Sequence, residues 1–401
     1  MKKIIKIICV IMILLCSVLM GTATAGYLLL PDTYTTVAGT SAGSGRLFTV
    51  GAAERAVMAN GGDTYNGELQ LLGAVPIKTV RVAVKERQTV TVCGSIFGLR
   101  LFTEGVNVVD TDTVQTAQGE KKPALAAGLM KGDIITAVNG NKIMDITDIS
   151  NAVDDCNGGD IAFTVRRAGN EYVFSVTPEI DRDTGGYKVG LWLRDNAAGI
   201  GTLTFYEPET RVFAGLGHAV CDADTGLPVE MSYGEVLSAH INSVKKGSSG
   251  FAGEISGTFE ENLLGGIYLN TDSGIFGALD AAPVTYGDYE IALPSEITEG
   301  EAEVVTSIDN DGPKAYSLEL TEVNPTADNH RDMVIRVTDT RLLAATGGIV
   351  QGMSGSPILQ NGKLIGAVTH VLLDDSATGY AIFADTMWDT ASSLADAEKA
   401  A

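Results

Sequence analysis

The sequence predicts a mainly β protein in which a compact α/β unit is followed by an all-β barrel or sandwich. Three observations carry that expectation. From Tyr187 onward, short apolar or alternating runs at 189–193, 201–206, 267–269, 289–293 and 333–337 are separated by glycine-rich turns. The chain has 47 glycines against 11 prolines, a balance suited to many tight turns. Between 93 and 180, two helix-sized segments alternate with strand-sized ones. A chain of 401 residues allows two or three domains, and 45% hydrophobic residues suffice for their cores.

Charge narrows the partners. A net charge of −22 repels phosphate backbones, which argues against nucleic-acid binding. Lys2, Lys3 and Lys6 are the only charges before Asp32, and 7–20 is almost wholly apolar. Ala23-Thr24-Ala25 then offers small residues where a signal peptidase would cut. These parts predict export, with 1–30 serving as a signal peptide cleaved near Ala25 or as an uncleaved membrane anchor, because apolar character resumes at 27–30. The lysines should stay cytoplasmic and place the remainder outside. Cys93, Cys156 and Cys221 are odd in number and widely spaced, with no C-x-x-C pair. Neither a zinc site nor a dense disulfide framework is expected, and no cofactor.

Residues 31–92 read as a leader with strands at 74–77, 80–84 and 89–92. The unit at 93–182 follows. Strands are expected at 106–109 and 134–138, a short helix at 123–129 closed by Gly128, and a second helix at 148–155 with Ile149, Ala152 and Val153 on one side. Asn139-Gly140 is a type I′ hairpin signal, and 161–166 and 172–176 alternate as paired strands around Ala168-Gly169-Asn170. The run P-A-L-A-A-G-L-M-K-G-D-I-I-T-A-V-N-G at 123–140 resembles the core signature of bacterial PDZ domains. The resemblance implies a carboxylate-capping loop at Phe97-Gly98-Leu99, beside a strand edge that accepts an extended peptide.

The chemistry concentrates at 185–401. Gly352-Met353-Ser354-Gly355-Ser356-Pro357 brackets a serine with glycines, and a turn at Asn361-Gly362 and a strand follow. Trypsin-like peptidases have a similar layout around their nucleophile. Such a turn would expose the Ser354 hydroxyl and aim the N–H groups of Gly352 and Ser354 into one pocket, as an oxyanion hole requires. A nucleophilic serine needs a base. His218, in a tight turn 136 residues upstream, has the separation expected when base and nucleophile come from two different barrels; His240, His330 and His370 are less favoured. For the acid, Asp339, Asp222 and Asp224 remain open on the residues alone.

From about Gly185 to the C-terminus the chain resembles the stage IV sporulation protein B serine peptidases, which combine a PDZ module with a chymotrypsin-like double β-barrel peptidase domain. The matching motifs are G-L-G-H at 215–218, T-D at 338–339, T-G-G-I-V-Q-G-M-S-G-S-P-I at 346–358 and G-K-L-I-G-A-V-T-H-V at 362–371. The resemblance implies Ser354 as nucleophile, His218 as base and Asp339 as acid. It also implies self-cleavage near the N-terminus and cleavage of a membrane-bound regulator of the protease that processes pro-sigma-K, in the space between forespore and mother-cell membranes. Met353 stands where trypsin-like enzymes keep an aspartate for a freed N-terminus, so activation by that route is not expected. The competing readings are a non-catalytic PDZ adaptor and an envelope quality-control peptidase.

Overall fold

The computed structural model describes residues 2–37, 47–51, 64–223, 226–325, 327 and 330–400. The chain opens with α1 (Lys2–Leu29), of which Cys9–Leu29 is long and apolar enough to cross a membrane. At about 1.5 Å per residue it exceeds the ~30 Å hydrocarbon core of a bilayer. Its apolar side chains, Ile11 and Leu15 among them, stand exposed, as suits a signal segment or an anchor. Four strands follow: β1 (Thr33–Val37), β2 (Phe48–Gly51), β3 (Thr64–Leu71) and β4 (Val75–Lys85). They form a separate sheet in the order β1-β4-β3-β2 around buried Tyr34, Val50, Leu69, Val80 and Val82.

After β5 (Thr89–Val92) comes β6 (Ile96–Thr111), a strand of 16 residues that serves two modules. Its second half opens the PDZ module. There follow a hairpin of β7 (Val114–Thr116) and β8 (Gly119–Lys121), then α2 (Pro123–Ala127), β9 (Ile134–Val138), β10 (Asn141–Lys142) and α3 (Ile146–Asp154). β11 (Ile161–Arg167), β12 (Asn170–Val176) and the short pair β13 (Glu179–Ile180) and β14 (Tyr187–Lys188) complete it. The expected turns are present. Asn139 and Gly140 have φ of 50° and 78°, the left-handed pair a type I′ hairpin requires. Asp145 caps α3 by accepting from Asp148 N–H at 3.1 Å, and Ile149 and Val153, one turn apart, are buried. Fully buried Asp133 is paired with the Arg167 guanidinium, so its charge is compensated.

The chain leaves the module along β15 (Leu191–Tyr206), again 16 residues. Residues 191–194 pair with 107–111 in the PDZ sheet, and 196–202 pair with 96–102. With β16 (Val212–Gly215), β17 (Met231–Lys245), β18 (Glu254–Thr271) and β19 (Gly274–Leu279), the outer parts of β6 and β15 close a six-stranded antiparallel barrel, β6-β15-β16-β19-β18-β17-β6. Phe97, Leu99, Leu101, Phe213, Val236 and Ile275 fill it.

β20 (Gly287–Ile291) bridges onward to a second barrel. That barrel comprises β21 (Gly300–Thr306), β22 (Lys314–Val323), β23 (Met333–Val337), β24 (Pro357–Gln360), β25 (Lys363–Leu372) and β26 (Asp375–Phe383), closed in the order β21-β22-β23-β26-β25-β24-β21. α4 (Thr340–Thr346) leads from β23 toward β24. C-terminal α5 (Ala384–Ala400) lays Ala384, Met387, Ala391 and Ala395 on a core fed by both barrels. β5 pairs with β15 on one side and β20 on the other, and Lys85 of the N-terminal sheet holds Asp385 and Asp389 of α5 at 2.9 and 2.8 Å.

Two expectations need correction here. Phe97-Gly98-Leu99 is no loop. It lies inside the first barrel, with Phe97 fully buried and Gly98 registered against Ile200 on one side and Leu237 on the other. Both edges are paired, so no backbone donor remains for a terminal carboxylate. The apolar alternation 97, 99, 101 faces the barrel interior, which is why the run reads as strand. The expected boundary at 93 therefore falls within first-barrel sequence, and the one at 185 precedes residues, 191–194, that belong to the PDZ sheet. A Cβ at Gly98 would meet the Phe259 ring at 2.5 Å. Gly98→Val should destabilise the barrel by about 1–3 kcal/mol, as overpacking does. Urea denaturation checks this, and an unchanged midpoint would refute the placement of 97–99 in the barrel wall.

Candidate active site

The two barrels meet on a cleft of about 490 Å³ whose lining includes His218, Ser354, Thr369 and His370. His218 follows β16, after Leu216 and Gly217 turn the chain through positive φ. Its Nδ1 lies 2.8 Å from the Ala219 carbonyl oxygen. A carbonyl can only accept, so Nδ1 carries the proton and Nε2 is left as the basic nitrogen. Burial pulls the His218 pKa below its ordinary value, opposed by that hydrogen bond. The His370 ring stands 4.7 Å from it, centroid to centroid. Burial, the neighbouring His218 and Arg331 together lower the His370 pKa to about 4.

Ser354 sits on the loop between α4 and β24, which both barrels hold. Met353 is fully buried in the second-barrel core, worth roughly 1.5–3 kcal/mol for a side chain of its size. From the first barrel, Thr202 donates its N–H to the Ser354 carbonyl at 3.0 Å and its hydroxyl to the Gly352 carbonyl at 2.8 Å. Thr204 donates its hydroxyl to the Gly355 carbonyl at 2.8 Å. Gly355 has φ of 92°, and a Cβ there would run into the Thr202 carbonyl and Leu216 backbone, so glycine is required. Among the described residues nothing accepts from the N–H groups of Gly352 or Ser354. The Ser354 hydroxyl donates to the Thr369 carbonyl at 2.8 Å, and not to His218.

The structure does not bring Asp339 to this cleft. Asp339 caps α4, accepting from the N–H groups of Arg341 at 2.8 Å and Leu342 at 3.3 Å, from Ser317 N–H at 3.3 Å, and from the Arg341 guanidinium at 2.7 Å. The Arg341 side chain first, then these backbone donors, hold its carboxyl far below the usual range. Its oxygens are occupied and none contacts His218, contrary to the expected acid role. Asp222 is paired with Arg194 at 3.0 Å, and Asp224 lies outside the described residues. His240 lies on β17 and His330 precedes β23; neither lines the cleft. The group that fixes the His218 tautomer is a backbone carbonyl, which no side-chain motif announces.

Val189-Gly190-Leu191-Trp192-Leu193 repeats the apolar-glycine-apolar pattern of 97–101. Residues 191–194 pair with β6 along one edge, while no strand register pairs with the other edge of 191–193 among the described residues. α3 lies alongside: Ile146 N–H at its start donates to Asp195 at 3.2 Å, and Gly158, beyond its end, lies against Tyr187. Helix and strand thus flank one another in opposite directions.

Two closed six-stranded barrels meeting on a serine–histidine cleft, joined to a PDZ module, define a chymotrypsin-like peptidase fold. The chain belongs to the SpoIVB peptidase S55 family, whose sequence model matches residues 185–388, and a PDZ domain model matches 116–167. Among curated proteins it is similar to the zinc metalloprotease RasP of Geobacillus kaustophilus, 30% identical over 156 residues, covering 31% of this chain and 37% of that one. It is also similar to the putative zinc metalloprotease LL2128 of Lactococcus lactis, 37% identical over 84 residues, covering 21% and 19%. The chain therefore spans well under half the length of these relatives. Similar solved structures include the PDZ domain of an SdrC-like protein from Listeria monocytogenes, at 22% identity and TM-score 0.19, covering 23% of this chain and 90% of that one. The active form of the Rv3671c protease from M. tuberculosis has 17% identity and TM-score 0.27, covering 49% and 74%.

Asp339 yields a discriminating substitution. Asn caps helices as well as Asp, so Asp339→Asn should keep activity within about tenfold of wild type, while Asp339→Ala should cost about 1 kcal/mol of stability. Peptide turnover and thermal unfolding read the two effects. A folded Asp339→Asn protein that lost about 10⁴ in kcat would return Asp339 to the triad.

Proposed function

We propose that the protein is an exported serine endopeptidase with Ser354 as nucleophile and His218 as general base. The observation that carries this reading is the convergence of both side chains on one cleft, next to two backbone donors, at Gly352 and Ser354, that no protein group engages. A substrate carbonyl entering the cleft draws the Ser354 hydroxyl from Thr369 toward His218 Nε2. Oγ attacks the carbonyl carbon as Nε2 takes the hydroxyl proton. The Gly352 and Ser354 N–H groups receive the oxyanion, in the role that usually contributes most to such catalysis. The imidazolium returns its proton to the leaving amine, and water then releases the acyl group by the same steps.

Family membership and the apolar N-terminal helix support the finer proposal. The enzyme would act outside the forespore membrane on itself and on a membrane-bound regulator of pro-sigma-K processing. We place the peptide contact of its PDZ module on the edge at 191–193 beside α3, where a bound segment raises the local substrate concentration at the barrels. Amide shifts at 191–193 on titrating a peptide would support that contact; shifts confined elsewhere would refute it.

Ser354→Ala should keep the fold and abolish self-cleavage, and an organophosphonate should label Ser354 in the wild type. A folded wild-type protein that resists labelling, with processing undiminished in Ser354→Ala, would favour the non-catalytic adaptor.

The pH dependence follows from burial. The lowered His218 pKa keeps Nε2 unprotonated to lower pH, so kcat/KM should rise through an inflection below the ordinary ~6.5 and then level. Stability shifts the same way. The folded state disfavours protonation of His370, so the unfolded chain binds more protons between about 6.5 and about 4, and stability should fall as pH falls through that window. His370→Asn should flatten that decline in a thermal-shift series, and an unaltered slope would exclude His370 as its source.

A further inference from the structure

We infer that the cleft selects uncharged, apolar side chains at the substrate residue whose carbonyl is attacked, and that Val350, Val371 and Leu373 set this preference. The inference rests on the serine-peptidase reading above and adds its substrate class. The chain carries 50 acidic and 28 basic residues, yet among the described residues no Asp, Glu, Lys or Arg lines the cleft. Position decides which wall meets that side chain. The Thr369 carbonyl holds the Ser354 hydroxyl, so 370–373 run away from the nucleophile along one wall. Residues 349–352 approach Ser354 along the facing wall, and both walls line the same cleft.

The loop between β17 and β18 ties these walls together. Gly250 N–H donates to the Leu373 carbonyl at 2.7 Å, Gln351 N–H donates to the Gly253 carbonyl at 3.2 Å, and Ala252 lines the cleft between them. Of the two cations at this loop, Lys245 is engaged over the Phe251 ring at 4.3 Å, and exposed Lys246 does not line the cleft. A charged side chain entering beside Val371 would lose its water with no charged partner among the described lining residues, whereas an aliphatic one would gain apolar contact. Val368 is still bonded to Gly355 and Ser356, but beyond it no strand pairs with the cleft-side edge of β25 among the described residues, so an extended segment can lie against 369–372.

The test uses the full-length protein in detergent micelles, with fluorogenic peptides that differ only in the residue before the scissile bond: Ala, Val, Leu, Met, Lys and Asp. The best aliphatic peptide should exceed the Lys and Asp peptides by about 100-fold or more in kcat/KM. Val371→Asp and Leu373→Asp should each move the preference toward Lys by about tenfold or more. Leu373 is 58% exposed and tolerates the change even where Val371→Asp disturbs packing. Organophosphonate labelling runs in parallel. A protein that labels and cleaves the Lys, Asp and Leu peptides equally overturns the specificity while leaving the peptidase reading intact. An apolar preference that neither variant moves removes these residues as its source. A folded protein that neither labels nor cleaves overturns both readings.

Discussion

The site depends on the hydrogen bonds by which Thr202 and Thr204 of the first barrel hold the carbonyls of Gly352, Ser354 and Gly355 of the second. Both threonines are fully buried, so losing an acceptor would leave a dry polar group unpaired, at about 1–3 kcal/mol each. With the carbonyls of this loop turned toward β15, its N–H groups at 352 and 354 are left unengaged. One strand therefore fixes both the separation of the barrels and the backbone conformation around the serine. Met353, buried beneath the same loop, adds an apolar anchor from the other side.

The same strand continues into the PDZ module. Residues 191–194 of β15 form an edge of the PDZ sheet, 199 and 200 line the cleft, and 202 and 204 hold the serine loop. A ladder to β6 accompanies it through much of this length, with register shifts at 192/193 and 194/196. Those irregularities mark where the two modules meet. The physical link between a peptide at 191–193 and the serine loop is thus a single strand of about ten residues, with no flexible linker between module and barrel.

Much of this was legible in the sequence. Glycine and asparagine at positions needing left-handed backbone fixed the hairpin at 139–140, and the same chemistry placed the turn at Asn361-Gly362. The serine loop and His218 stood out because their neighbours are turn formers beside apolar strands. Sequence could not separate 97–101 from 189–193, since both read apolar-glycine-apolar-x-apolar; only the pairing of both edges of the first decides. Asp339 failed for a related reason. An acid after a strand and before a helix fits an N-cap as well as a triad member, and local spacing does not distinguish the two. The strands β6 and β15 each cross two modules, which alternation within one run cannot show.

As the proposed general base, His218 would work in a restrained environment. Its Nδ1–H is held by a neutral carbonyl, which fixes the tautomer but stabilises a developing imidazolium less than a carboxylate would. His370, close by, adds no negative charge to help. The Ser354 hydroxyl rests on the Thr369 carbonyl, while the Thr369 hydroxyl is buried with no partner among the described residues. An unmet buried hydroxyl is a local cost that a rearrangement could relieve. On the proposed mechanism, a segment in the cleft would have to displace the Ser354 hydroxyl from the Thr369 carbonyl before it reaches His218. Because the strand that carries the PDZ edge also holds the serine loop, a peptide gripped at that edge is tethered to the element that any such rearrangement must involve.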